Sequence, residues 1–230
     1  LTAQNTCGVT GVLPIDQSFI EQQFDAVFSD IAIDVVKIGM LGDAVTITTV
    51  AKALKKYQPA HIVLDPVMVA TSGDVLLAND AVSALINELL PLATLITPNI
   101  PEALALLNRT KEQAPDDDLQ SLQLANELLE LGTHSVLLKG GHQTGSESTD
   151  FWVCNEMQQT FRAKRVDTKN THGTGCTLSA SIASYLAQGQ DLASAISRAK
   201  NYISHAIKHA DQLQIGKGCG PVHHFWAQSN

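Results

Sequence analysis

The sequence predicts an α/β fold, a three-layer α/β/α sandwich with a mostly parallel central sheet and an edge hairpin. Three observations carry this. Short β-branched runs recur along the chain, amphipathic helical stripes lie between them, and the breaks are short and rich in Gly, Pro or Asn. Runs that are apolar on both sides read as buried parallel strands rather than half-wet antiparallel ones. Strand–helix–strand alternation with short loops implies right-handed crossovers and helices on both sheet faces.

In order, the strand runs are Val35-Val36-Lys37-Ile38, Ile62-Val63-Leu64, Thr94-Leu95-Ile96-Thr97 and Ser135-Val136-Leu137-Leu138. Ile47, Val50, Ala51 and Leu54 fall at i, i+3, i+4, i+7, as do Val82, Leu85, Ile86 and Leu89, so each set makes one apolar stripe. Pro101 suits the first turn of a helix running through Leu107. Leu124, Leu128 and Leu131 predict another helix, stopped by Gly132. The longest stripe runs from Leu192 through Ala195, Ala199, Ile203 and Ala206 to Ala210, with Asp191 as N-cap. Phe151-Trp152-Val153 and Thr160-Phe161, split by Asn155-Glu156, predict a hairpin near a sheet edge. Asp116-Asp117-Asp118 reads as a solvated loop. No internal repeat or linker interrupts residues 1–230, so one domain is expected.

Hydrophobic residues make up 44% of the 230, enough for a real core, so global disorder is excluded. A net charge of −8 with no basic run argues against nucleic-acid and membrane-surface partners. It does not oppose local phosphate binding, because backbone amides can hold an anion. Cys7, Cys154, Cys176 and Cys219 are scattered without a C-x-x-C, which fits a reducing cytoplasm better than a disulfide framework. No apolar run approaches the ~18 residues of a spanning helix.

Ligands of open α/β sheets bind beyond the carboxyl ends of the strands. The residues there are Gly39-Met40, Asp65-Pro66-Val67-Met68, Pro98-Asn99 and Lys139-Gly140-Gly141-His142. The most informative stretch is Asn170-Thr171-His172-Gly173-Thr174-Gly175-Cys176-Thr177, followed by a helical stripe at Leu178, Ile182, Tyr185 and Leu186. Free first-turn amides and the helix dipole make an anion hole suited to a phosphoryl group. Cys176 in that field is expected to have a lowered pKa and to serve as a nucleophile or a base. The alternative is a Gly-rich helix start with an inert cysteine. A zinc reading of His172 and Cys176 lacks companion ligands.

No G-x-x-x-x-G-K-[ST] occurs, so the chain is not a P-loop protein. Gly216-Lys217-Gly218-Cys219-Gly220-Pro221 precedes no clear helix and is weak evidence for a dinucleotide site. Asn99-x-x-Glu102 is either a capping box or places Glu102 near a hydrated Mg²⁺. Asp65 is either a second such carboxylate or a turn cap. Lys139 either pairs with phosphate or extends to solvent.

Taken together, these stretches resemble the hydroxymethylpyrimidine/phosphomethylpyrimidine kinases of thiamine biosynthesis, in the ribokinase-like superfamily. The resemblance rests on Leu1-Thr2-Ala3-Gln4-Asn5-Thr6, Lys37-Ile38-Gly39-Met40-Leu41, Leu64-Asp65-Pro66-Val67-Met68-Val69-Ala70 with Ser72-Gly73-Asp74, and Ile96-Thr97-Pro98-Asn99-Ile100-Pro101-Glu102-Ala103. It continues through Lys139-Gly140-Gly141-His142, Asp167 to Thr177, Gly216-Lys217-Gly218 and Gly220-Pro221-Val222-His223-His224-Phe225-Trp226. It implies transfer of the γ-phosphoryl of ATP to a pyrimidine CH₂OH, then of a second phosphoryl onto the monophosphate. By resemblance, Cys176 is the catalytic base, and Gly173, Thr174 and Gly175 supply the anion hole. Gln4, Met40 and Val67 would bind the pyrimidine. Asn99, Lys139, Thr171 and His172 fall on the ATP/phosphate side, with Glu102 and Asp65 toward Mg²⁺. Small-molecule substrates and a homodimer, common in the family, are the implied partners.

Family members carry roughly forty residues before the position of Leu1, with the first strand and a Gly/Ser-rich loop, so an N-terminally truncated domain with an unpaired sheet edge is expected. The alternatives are a pyridoxal or pyridoxine kinase of the same branch, and a non-catalytic ligand-binding relic.

Overall fold

The computed structural model describes residues 1–68, 79–141 and 145–228. Val69, Ala70, Ser72, Gly73, Asp74 and His142, all quoted above, lie outside the described residues. Six strands form one sheet in simple sequence order: β3 (Val35–Ile38), β4 (His61–Leu64), β5 (Leu95–Ile96), β6 (Ser135–Lys139), β7 (Glu147–Cys154) and β8 (Gln158–Lys164). The first four are parallel, and β7 and β8 add antiparallel to β6 as the edge hairpin. A separate antiparallel hairpin, β1 (Thr2–Asn5) with β2 (Gly8–Val12), stands outside this sheet.

The helices are α1 (Gln17–Phe28), α2 (Ala44–Tyr57), α3 (Asn79–Ala84), α4 (Ile100–Leu106), α5 (Asp118–Leu129), α6 (Thr174–Ala187) and α7 (Leu192–Lys208). Strand alternation assigns them to layers. Ile62 and Leu64 of β4, Ile96 of β5, and Val136 and Leu138 of β6 pack with α2, α4 and α5 on one face. Their neighbours Val63, Leu95 and Leu137 pack with α6 and α7 on the other. Parallel strands buried on both faces therefore read as continuous apolar runs. Both layers are well buried: Leu64, Ile96, Leu137 and Ile196 are all fully buried.

The predicted strands and helices are present, with differences at their ends. β5 has two residues instead of four, although Thr94 N–H still donates to Ile62 O and Thr97 N–H to Leu64 O, both at 2.9 Å. The 82–89 stripe begins as α3 and continues as a π-helical turn over Leu85–Leu89. The acidic triplet is not simply a loop. Asp117 caps α5 by accepting from Gln120 N–H at 2.7 Å, and Asp118 opens the helix and pairs with Arg162 at 2.8 Å. Neither β1–β2 nor α1 was legible in the sequence. β1 is exposed throughout, and α1, although Ile20, Phe24 and Phe28 line one face, buries none of its residues fully, so neither stands out as a core element.

Candidate active site

Backbone bonds bring four strand ends side by side. Asp65 N–H donates to Ile38 O at 2.9 Å, Thr97 N–H to Leu64 O at 2.9 Å, and Lys139 N–H to Pro98 O at 2.8 Å. The side chains just beyond β4, β5 and β6 consequently converge. Asp65 is the hub. Its Oδ1 accepts from Thr97 Oγ1 at 3.0 Å and from Lys139 Nζ at 2.9 Å, and its Oδ2 accepts from Ser179 Oγ at 3.2 Å. Lys139 Nζ also lies 3.9 Å from Glu102 Oε2.

Burial works against the Asp65 charge, but the Lys139 ammonium, with Lys37 and the Thr97 hydroxyl, holds its carboxyl below the ordinary value. Burial likewise works against Lys139, and Asp65 and Glu102 outweigh it, so the ammonium is held above its ordinary value. Asp65 is 1% exposed and both its oxygens are taken up inside the protein. Here it serves as the counter-ion of Lys139. Lys139 in turn points inward and not to solvent.

Both readings of Asn99-x-x-Glu102 meet in one geometry. The capping box is formed, with Glu102 N–H donating to Asn99 Oδ1 and Asn99 N–H to Glu102 Oε2, each at 2.8 Å. The same carboxylate faces Lys139 and is buried. Burial, reinforced by the Asp65 charge and opposed by Lys139, pushes its pKa up to about 7.

α6 rises over this cluster. Its N-cap is Gly173 at φ +82°, which supplies no capping side chain. The amides of Gly175 and Cys176 therefore lie in a first turn that no intrahelical carbonyl reaches. Thr174 Oγ1 is occupied, donating to Thr171 O at 2.7 Å. Gly175 has a packing reason beyond ligand access: a Cβ there would lie 3.1 Å from Lys139 Nζ. Cys176 opens onto solvent. Its thiol is pushed up, by burial and by the Asp65 carboxylate, with Lys37 and Lys139 pulling the other way. This differs from the lowered thiol expected from the sequence: burial and the Asp65 carboxylate push it up.

The structure brings Asp65, Asn99, Glu102, Lys139, Gly175 and Cys176 into one cluster. Gln4 and His172 meet elsewhere, in a cavity of about 270 Å³ shared with Asn5, Thr6, Cys7, Gly8, Gly218 and Cys219. Val67 lines a separate recess with Gly39, Leu41 and Leu64, so the described residues do not place it in the Gln4 cavity. Met40 is half-buried between Gly39 and Leu41. Three residues without an assigned role join the site. Thr97 and Ser179 bind Asp65. The ammonium of Lys37 lies 3.0 Å from where a Gly39 Cβ would be. A cation inside an apolar strand was the available signal for Lys37, and the i, i+3 spacing from Cys176 was the signal for Ser179.

The phosphomethylpyrimidine kinase family profile matches residues 1–223. A hydroxymethylpyrimidine/phosphomethylpyrimidine kinase of Rhizobium meliloti is 48% identical over 225 residues, covering 98% of this chain and 83% of that protein. Among solved structures, a phosphomethylpyrimidine kinase from Clostridium difficile is 39% identical with TM-score 0.76, covering 90% of this chain and 83% of that one. An ADP complex of Bacillus subtilis pyridoxal kinase is 31% identical with TM-score 0.87, covering 99% of this chain and 84% of that one. The convergence of strand ends under a glycine-capped helix and a match over nearly the whole length lead to one conclusion: the chain belongs to the phosphomethylpyrimidine kinase family.

Proposed function

We propose that this chain transfers the γ-phosphoryl group of ATP to the hydroxymethyl oxygen of 4-amino-5-hydroxymethyl-2-methylpyrimidine, and then phosphorylates the monophosphate, toward thiamine diphosphate. The observation that carries this reading is Cys176 at the open first turn of α6, directly above the Asp65–Lys139–Glu102 cluster. A thiol acceptor, free amides and a fixed cation are the parts that phosphoryl transfer to an alcohol needs.

Cys176 Sγ takes the hydroxyl proton as the oxygen forms its bond to the γ-phosphorus. The bond from that phosphorus to the bridging oxygen of ADP breaks. Of the Gly173–Thr174–Gly175 turn, Gly175 presents a free amide to the transferring group together with Cys176, while the Thr174 N–H donates to Thr171 O at 3.3 Å. Lys139, held charged by Asp65, balances phosphate charge. Asn99 and Thr171 border that side, while Gln4 takes the pyrimidine in the cavity it shares with His172, with Met40 and the neighbouring Val67 recess flanking it. A hydrated Mg²⁺ fits: one buried carboxylate beside the phosphates suffices for this ion, and Glu102 would hold it through its water shell. When bound, the ion supplies charge neutralisation on the phosphates. Among the described residues no helix is long and apolar enough to cross a membrane. A single cytoplasmic domain acting as a homodimer is part of this proposal.

A pyridoxal kinase reading is favoured by the higher TM-score of the pyridoxal kinase neighbour, 0.87 against 0.76. Identity points the other way, 39% to the pyrimidine kinase structure against 31%. The test is ATP- and Mg²⁺-dependent phosphorylation of hydroxymethylpyrimidine, with pyridoxal in parallel. The pyrimidine is expected to give the higher kcat/KM. Preference for pyridoxal reverses the substrate assignment, and turnover of neither by folded protein leaves a ligand-binding relic.

A further inference from the structure

The glycine loop near the C-terminus takes no part in the chemistry above, yet its geometry is tightly specified. A Cβ on Gly216 would lie 2.2 Å from Thr6 Oγ1, one on Gly218 2.0 Å from Thr6 O, and one on Gly220 2.1 Å from Asn170 Oδ1. Gly218 meets backbone and Gly216 meets Thr6 in a left-handed conformation, so these two admit little but glycine, while a side chain at Gly220 would have to displace Asn170. Gly216 also has φ +78°, where a side chain is strained. Hydrogen bonds complete the contact: Lys217 N–H and Gly218 N–H both donate to Thr6 Oγ1 at 3.2 Å.

The other side of the same loop is bound to the lead-in of α6. His172 N–H donates to Gly220 O at 3.0 Å, and Val222 N–H donates to His172 O at 3.3 Å. His172 immediately precedes Gly173, the N-cap of α6. The hairpin β1–β2 has no place in the main sheet and every residue of β1 is exposed, so the sheet does not hold it. One loop therefore joins the strand bearing Gln4 to the helix bearing Cys176, and the cavity between them is lined by Gln4, Thr6, His172 and Gly218.

We propose that residues 216–220 are a clasp that sets the separation between Gln4 and the start of α6, and so governs the fit of the acceptor alcohol. Thr6, Gly216 and Gly218 are positioning residues, acting through Gln4. The inference rests on the reading of Gln4 as an acceptor contact. Loosening the Thr6 side affects the acceptor more than ATP, because the lead-in of α6 keeps its own bonds to Gly220 and Val222, and Asn99, Glu102 and Lys139 are anchored by the main sheet.

The test compares Gly218→Ala, Thr6→Val and Thr6→Ser with the wild-type chain. Gly218→Ala and Thr6→Val should raise the KM for hydroxymethylpyrimidine by about tenfold while the KM for ATP stays within about twofold. Thr6→Ser keeps the hydroxyl acceptor and should recover most of the wild-type value. Should Gly218→Ala fail to fold, Thr6→Val carries the comparison, since it removes only the acceptor. A second readout needs no turnover. Cys7 and Cys219 line the same cavity, so a short bismaleimide should cross-link them in the wild type, as mapped by peptide mass spectrometry. The yield should fall several-fold in Gly218→Ala and Thr6→Val. An unchanged cross-link, an unchanged pyrimidine KM, or an equal rise in both KM values would overturn the clasp. Loss of the cross-link in the variants, with a wild type that turns over no pyrimidine, would uphold the clasp and refute the substrate assignment.

Discussion

Cys176 and Glu102 show how neighbours set the chemistry of a residue. The Cys176 thiol is pushed above its ordinary range by burial and by Asp65, so a base at this position is mostly protonated at neutral pH. The rate of the chemical step should therefore rise with pH, with its limb above the ordinary thiol range. Cys176→Ala should lower kcat by about 10²–10⁴-fold, abolish that limb, and leave ATP affinity little changed. An unchanged kcat would remove Cys176 from the base role. Glu102 carries a pKa of about 7 against an ordinary 4.5. A carboxyl whose folded value is raised binds its proton more tightly when folded. Its stabilisation is complete below the unfolded value and is lost as pH rises through the folded one. Stability should accordingly fall by on the order of 3 kcal/mol between those values. Glu102→Gln keeps an acceptor for Asn99 N–H and should flatten that dependence in denaturation series at several pH values. It should also raise the Mg²⁺ concentration needed for half-maximal rate. A change in melting temperature alone would leave Glu102 as a helix cap.

Elements hold the site through a few buried polar ties. The most demanding is between α7 and β7. Lys200 Nζ donates to Asp150 Oδ2 at 2.7 Å, and Asp150 Oδ1 accepts from Gly140 N–H at 3.1 Å. Both side chains are nearly fully buried. The pair fixes the backbone just after Lys139, so it supports the Lys139 position from behind. Lys200→Met fills similar volume but strands a buried carboxylate, and should cost about 3–5 kcal/mol in chemical denaturation. Adding Asp150→Asn, which keeps an acceptor for Gly140 N–H, should recover a large part of the loss. α6 illustrates the opposite economy. It leaves its N-terminus uncapped by any side chain, a small stability cost at the point where free amides are useful.

At the scale of the whole molecule, stability is uneven. Strands β4, β5 and β6 sit between two buried apolar layers, whereas β1–β2 stands apart, exposed along β1 and bound through Thr6. Hydrogen exchange should follow this division. Amides of β1–β2 should exchange first, and those of Val63, Ile96 and Leu137 last, near the global unfolding limit. Protection of the hairpin equal to that of β6 would contradict it. The net charge of −8 does not oppose the proposed anion site, because local amides and Lys139 would bind phosphate there and not a global field.

The sequence by itself determined the layered α/β fold, its parallel strands, most of its helices and the strand-end residues that form the cluster. Those features depend on local rules: apolar period, caps such as Asp191, and the glycines before Cys176. It also carried the family, because the motifs span the chain in order. Tertiary structure alone decided which of two local readings each site residue would take. Asp65 became the partner of Lys139 because β4 and β6 place them together from positions 74 residues apart. Glu102 serves as a cap and faces Lys139 at once, and Cys176 has its thiol raised instead of lowered. The hairpin and the purpose of Gly216, Gly218 and Gly220 were illegible for the same reason. Their partners, Thr6 and Asn170, are distant in sequence, and charge burial and close contact are properties of the fold, which no window of sequence contains.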